Sequence, residues 1–285
     1  MISPALKSAI SGSIGSRLLD LKAVSGGDIN EAFYARTQAG EVFVKVQSGP
    51  YGMSMFEGER SGLLEMSVCG AVNVPGVLGC GRAEDGNAFL ILTWHSEIRP
   101  AASDWKQLGE QLAVMHHCAD STFGFPENNF IGSLPQDNAQ TRDWPEFFAA
   151  NRIEPLLKLA VLKPEARDLG NWHLIRQKLS TIIPCDTPSL LHGDLWGGNA
   201  MHTSRGPLIY DPAVCYGDRL VDIAMTRLFG GFPREFYEAY LGSFPSSKHE
   251  LERLELYQLY YLLVHLILFG RSYLRPVQCI LDKYV

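Results

Sequence analysis

Leu191-His192-Gly193-Asp194-Leu195-Trp196-Gly197-Gly198-Asn199, followed by Tyr210-Asp211-Pro212-Ala213, is the densest cluster of chemistry-bearing residues in the chain. Asp194 follows the strand-like Ser189-Leu190-Leu191 and sits in a turn, where its carboxylate can accept the proton of an attacking hydroxyl. Asn199 offers an amide oxygen to a divalent cation. Asp211, at the end of the strand-like Leu208 to Tyr210, offers a carboxylate to the same ion. A base that orients a hydroxyl and hard oxygen ligands for magnesium are the parts that phosphoryl transfer requires. A Gly-rich turn with Asx caps would explain the glycines alone, but not the aspartate on the following strand.

The spacing His-x-Asp-x4-Asn matches the catalytic loop of protein kinases and directs attention upstream, to a strand lysine and a helix acid. Leu19 to Ser25, Glu31 to Thr37 and Glu41 to Gln47 read as three short strands separated by the turn signals Gly26-Gly27-Asp28 and Gln38-Ala39-Gly40. In the third, Val42, Val44 and Val46 share one face, and Phe43 and Lys45 the other. Met53 to Val68 reads as a helix with Phe56, Leu63 and Leu64 at helical spacing. Glu59 falls on that packed stripe, whereas Glu57 is rotated about 200° from it. An acid facing inward needs a cation, and Lys45 is the nearest in pattern. Gly26, Gly27 and Asp28 then stand where a loop would cover phosphates with backbone N–H groups. Leu92, Thr93, Trp94 and His95 close the last strand of this half, where a connector would offer backbone groups to adenine.

The texture changes beyond Trp94. Strands are expected at Val72 to Leu78 and Ala88 to Thr93. Helices are expected at Asp104 to His116 and within 144–160, 165–183, 218–229, 233–242 and 249–271. The expectation is an α+β chain of two lobes: residues 1–94, a small antiparallel β lobe with one helix that binds nucleotide, and residues 95–285, a larger helical lobe with the catalytic loop and acceptor site.

Composition narrows the function classes. The 285 residues are 46% hydrophobic and 20% charged, as in soluble globular proteins, and the net charge of −6 comes with no basic tract. Nucleic acid and anionic membrane are therefore not expected partners. Leu256 to Phe269, the longest apolar stretch, is too short to span a bilayer and reads as a buried helix. The N-terminus does not have the form of a signal peptide, and the six cysteines make no CxxC pair, so reduced core thiols and a cytoplasmic setting are expected. Oligomeric state leaves no sequence signal.

HGDLWGGN, DPAVCYGDRLVDIAMTRLFGGF and LYQLYYLLVHLILFG, with MFEGERSGLLEM, FGFPENNFIGSLPQDN and WPEFFAANRIEPLLKLA, resemble the fructosamine (ketosamine) kinase family, whose fold is similar to that of aminoglycoside phosphotransferases and choline kinases. The resemblance implies ATP-dependent phosphorylation of the sugar 3-hydroxyl of ketosamines, a deglycation step, with ATP and Mg2+ as cofactors. It implies Asp194 as base, Asn199 and Asp211 as magnesium ligands, and Lys45 with Glu59 as the phosphate-positioning pair. Trp196, Asp218, Arg219 and His265 become candidates for the acceptor pocket. Asp222, three residues after Arg219, is read instead as its ion-pair partner. Two positions depart from the family pattern: Leu220 follows Arg219 where an acid is usual, and Asp28 stands where some members carry cysteine. The alternatives are a kinase of the aminoglycoside or choline type and a non-catalytic nucleotide-binding module.

Overall fold

A computed structural model describes residues 2–24, 30–245 and 249–285. Five strands, β1 (Leu18–Ala23), β2 (Glu31–Thr37), β3 (Gly40–Gln47), β4 (Val77–Arg82) and β5 (Ala88–Thr93), form an antiparallel sheet in the order β1-β2-β3-β5-β4. Strand alternation sorts its two faces. Val42, Val44 and Val46 pack with Phe33 and Ile91 and with Leu6 and Ile10 of α1 (Pro4–Ser13), a helix capped by the Ser3 side chain. Phe43 and Lys45 point to the other face, where α2 (Gly52–Cys69) lays Phe56 and Leu63 against Leu90 and Leu92. The strand expected at Val72 to Leu78 begins only at Val77. Pro75 cannot donate to a ladder, and Asn73 instead accepts from the backbone N–H of Ile209, across in the second half.

The second half contains α3 (Ala102–His116), the hairpin β6 (Asn129–Ile131) and β7 (Leu134–Gln136), α4 (Trp144–Phe148), α5 (Glu154–Ala160) and α6 (Ile175–Ile182). Then come β8 (Ser189–Leu191), β9 (Ala200–Thr203), β10 (Gly206–Ile209), β11 (Cys215–Gly217), α7 (Leu220–Thr226), α8 (Arg234–Ser243), α9 (Glu250–Phe269) and α10 (Leu274–Tyr284). β8 pairs with β11 and β9 with β10, both antiparallel, which clamps the segments bearing Asp194 and Asp211 between short ladders. Helix α9 buries Leu256, Tyr257, Leu259 and Leu263 in the core. Among the described residues no helix is long and apolar enough to cross a membrane.

Helix α2 packs on the sheet and is also fastened to the second half from Gly58 to its C-terminal end. A Cβ at Gly58 would come within 2.9 Å of Asn129, and one at Gly62 within 2.8 Å of Val214, so only glycine permits this approach. Ser61 donates to Glu127 at 2.5 Å, and the Tyr216 hydroxyl donates to Glu65 at 2.6 Å. At the helix end Cys69 is joined to Cys118 by a disulfide with a Cα–Cα distance of 6.3 Å. This corrects the expectation of reduced core thiols. The two residues are 49 apart in sequence, at the end of α2 and just beyond the end of α3, and the tertiary fold brings them together, while Cys185 and Cys279 are exposed.

Candidate active site

The cleft between the two halves, about 560 Å³, is lined by Lys45, Glu59, Asp194, Asn199 and Asp211 at one end. Lys45 Nζ donates to both Glu59 oxygens at 2.8 and 2.9 Å and to Asp211 Oδ1. Strand alternation and the helical stripe thus bring Glu59 to Lys45, while Glu57 lies exposed. Burial works against the Lys45 ammonium, but the carboxylates of Asp211 and Glu59 outweigh it and raise its pKa. Burial raises the Glu59 carboxyl above the ordinary range, against the pull of Lys45 and with the push of Asp211.

The loop bearing Asp194 is held at nearly every polar atom. Asp222, on α7, accepts from the backbone N–H groups of His192 and Gly193, each at 2.8 Å, and meets His116 Nε2 at 3.2 Å. Tyr261 donates to the Gly193 carbonyl at 2.9 Å. His192 Nδ1 accepts from the Asp194 N–H at 3.2 Å, so Nε2 carries the proton and donates to the Tyr210 carbonyl at 2.9 Å. Burial lowers the His192 pKa and keeps that neutral form. Gly193 has φ +81°, and a Cβ there would lie 2.0 Å from the Ala213 carbonyl oxygen. A side chain at Gly193 would therefore push Asp194 away from Asp211. Burial, then the charge of Asp211, pushes the Asp194 carboxyl up to about 7, partly offset by a hydrogen bond from Asn199. A carboxylate poised there suits a general base near neutral pH.

Asn199 Nδ2 donates to the Asp194 backbone oxygen at 2.8 Å and to its carboxylate at 3.1 Å, so its amide oxygen is the atom that could ligate a metal. Asp211, with φ 58°, turns its carboxylate into the same hollow. Among the described residues no group of three or more His, Cys, Asp or Glu could hold an ion unaided. Two hard oxygens in a cleft fit magnesium, which draws its other ligands from phosphates and water.

A family model for fructosamine kinase matches residues 4–285. The chain belongs to the fructosamine kinase family. It is 34% identical to the ketosamine-3-kinase of Mus musculus, covering 87% of this chain and 89% of that one. It is 36% identical to the chloroplastic protein-ribulosamine 3-kinase of Oryza sativa subsp. indica, covering 95% and 80%. A candidate fructosamine-3-kinase of Haemophilus somnus 129PT superposes with a TM-score of 0.91 at 28% identity, covering 99% and 97%. An aminoglycoside 2'-phosphotransferase-IIIa in its GDP complex superposes with a TM-score of 0.63 at 15% identity, covering 99% and 98%, which speaks to fold alone. The fold is thus the α+β, two-lobed kinase type and the protein is a phosphotransferase.

For this fructosamine kinase family member, the acceptor candidates separate. Trp196 and His265 line the cleft. Asp218 does not: it is buried, accepting from Arg253, from the Tyr257 hydroxyl at 2.5 Å and from the Leu220 N–H at 3.0 Å. Arg219 does not either. Its guanidinium lies over the Phe244 ring at 4.5 Å. Both are removed from the acceptor set, because partners on α8 and α9 take up their charge. The expected Arg219–Asp222 ion pair is likewise replaced by the loop-holding role of Asp222. A carboxylate in the wholly apolar run Leu220 to Met225 was the available signal for that role.

Gly26, Gly27 and Asp28 lie outside the described residues. Their neighbour Asn30 lines the cleft. Leu92 is buried in the sheet core, and Thr93 spends its N–H on the Gly76 carbonyl and its hydroxyl on Gly76 N–H and on His95. Trp94 packs edge-on to Tyr34 at 4.9 Å and against Phe43 at 6.3 Å. Phe43 shares its strand face with Lys45, so the connector borders that face without lining the hollow itself.

Proposed function

We propose that this protein transfers the γ-phosphoryl group of ATP to the 3-hydroxyl of a ketosamine sugar, the committing step of a deglycation. The observation that carries this reading is the convergence of Lys45, Glu59, Asp194, Asn199 and Asp211 on one cleft whose other end is free of charge. Lys45, kept cationic by its two carboxylates, offers its charge to the nucleotide phosphates. Asp194 orients the acceptor hydroxyl and takes its proton as the oxygen attacks. Asn199 and Asp211 are the residues that would hold Mg2+. Bound there, the ion neutralises charge on the phosphate oxygens. Catalysis is then mainly positioning and charge stabilisation. Trp94 and His95 border the adenine side, with residues 1–94 as the nucleotide lobe and 95–285 as the catalytic lobe.

Mass spectrometry of a fructosylated peptide, before and after incubation with the protein, ATP and magnesium, tests the reading. Gain of one phosphoryl group followed by loss of the sugar is expected; an unchanged spectrum would reject it. A parallel panel scored by ADP release, with kanamycin and choline beside a fructosyl-lysine analogue, separates the other small-alcohol kinases. Among the described residues a polycationic aminoglycoside would meet no carboxylate in the acceptor half of this cleft.

A further inference from the structure

The acceptor half of the cleft is built from rings. Phe229 contacts both Trp196 and Tyr273, with ring centroids at 6.3 and 6.2 Å and interplanar angles of 82° and 80°. His265 lies beneath it, tilted by 33° at 4.4 Å, and packs on Phe269 and Tyr273 at 5.3 and 5.1 Å. All of these rings line the cleft, so together they form an aromatic enclosure at this end of it, a box of ring faces and edges. Tyr273 packs against the core, but Trp196, Phe229 and Phe269 stand clear of it. Trp196, Phe229 and Phe269 are 37%, 41% and 47% exposed, an arrangement that a fold does not adopt for its own packing. Phe229 also holds φ +54°, a strained conformation for a bulky residue, immediately before Gly230 and Gly231. Such strain is a mark of functional sites.

The box carries no formal charge. The charged side chains that line the cleft, Lys45, Glu59, Asp194 and Asp211, all belong to its catalytic end. His265 adds a neutral acceptor: Nδ1 donates to the Tyr261 carbonyl at 2.8 Å, leaving the Nε2 lone pair, and burial disfavours the imidazolium. Ring faces attract a cation within about 6 Å, and an aromatic enclosure suits an alkylammonium without needing a carboxylate.

We infer that the box formed by Trp196, Phe229 and Tyr273 over His265 receives the amine end of the acceptor, as one secondary ammonium with an apolar substituent. This rests on the reading of the acceptor as a ketosamine. Its sugar faces Asp194, and its nitrogen, protonated near neutral pH, lies against the rings. The substituent leaves past the exposed Trp196 and Phe269. An adduct bearing a carboxylate beside that nitrogen brings an anion to ring faces that repel it, and among the described residues no cation of the cleft lining stands at that end to receive it.

The test compares three compounds: the fructose adduct of benzylamine, the fructose adduct of glycine, and an ether in which oxygen replaces the nitrogen of the first. Wild type, Phe229→Leu and Phe229→Tyr are each measured by ADP release, and by calorimetry for binding of the ether and the benzylamine adduct. The wild type is expected to use the benzylamine adduct roughly tenfold better in kcat/KM than the glycine adduct, and to bind it roughly tenfold more tightly than the ether. Phe229→Leu, apolar but without a ring, should close the amine–ether gap with its loss mainly in KM, and Phe229→Tyr should restore it. An ether bound as tightly as the amine, or a gap unchanged in Phe229→Leu, overturns the inference while leaving a ketosamine kinase in place. Failure of the wild type to phosphorylate either adduct overturns the ketosamine reading itself, and the box assignment with it.

Discussion

The two ends of the cleft are built on opposite principles. At the catalytic end each atom that matters is held twice: Lys45 by two carboxylates, the Gly193 peptide by Asp222 from one side and Tyr261 from the other. At the acceptor end the half-exposed rings of Trp196, Phe229 and Phe269 pack edge-on or tilted against neighbouring rings. Phosphoryl transfer tolerates no drift of the reacting atoms, so polar partners fix them in advance. On the proposed reading, recognition of the amine needs only faces of the right polarity, which rings supply without fixed hydrogen bonds. Substitutions at the first end should therefore cost turnover, and those at the second, affinity.

The largest effect is expected from Asp194→Ala, which should lower kcat on the order of 10³-fold with nucleotide affinity nearly intact, read by steady-state kinetics beside nucleotide titration. Wild-type turnover in that variant would break the contrast at its root. Asp222→Asn comes next, since its amide NH2 would face N–H groups that now donate to a carboxylate. A loss of up to about 10²-fold in kcat is expected, with roughly 1–3 kcal/mol of stability by denaturant titration. A variant stable but inactive would show that Asp222 positions the loop more than it supports the fold.

The pH dependence sharpens the same end. With the Asp194 carboxyl held up to about 7, kcat/KM should fall tenfold per pH unit on the acid side of that value. Stability should move the other way. Between roughly pH 4 and 7 the unfolded chain releases this proton before the folded protein does, so raising pH through that window costs folding free energy. Asp194→Asn should remove this contribution from the pH–stability curve. The smallest effect on turnover is expected from Cys69→Ser, because the disulfide touches neither end of the cleft. Its loss should appear in thermal unfolding, at roughly 2–4 kcal/mol.

How much was legible follows range of interaction. Asp194 and Asn199 lie five apart on one loop, and Lys45 and Glu59 are placed by strand alternation and helical spacing. Local geometry suffices to aim such residues. Asp218 and Arg219 sit in an equally suggestive motif, yet their directions are decided by Arg253, Tyr257 and Phe244, which no local period connects to them. Phe229 and Tyr273 escaped notice for the same reason: the box exists only when the turn after α7 meets the start of α10. The Cys69–Cys118 pair needed the docking of α2 to be known first.

That disulfide has a topological consequence. The backbone from Cys69 to Cys118, which contains β4, β5, the connector beyond Trp94 and α3, is closed into a covalent ring. The connector between the two halves therefore sits inside a ring with two covalent crossings. The two halves are thus joined by a backbone crossing and a sulfur crossing, and reduction of Cys69–Cys118 removes one of the two.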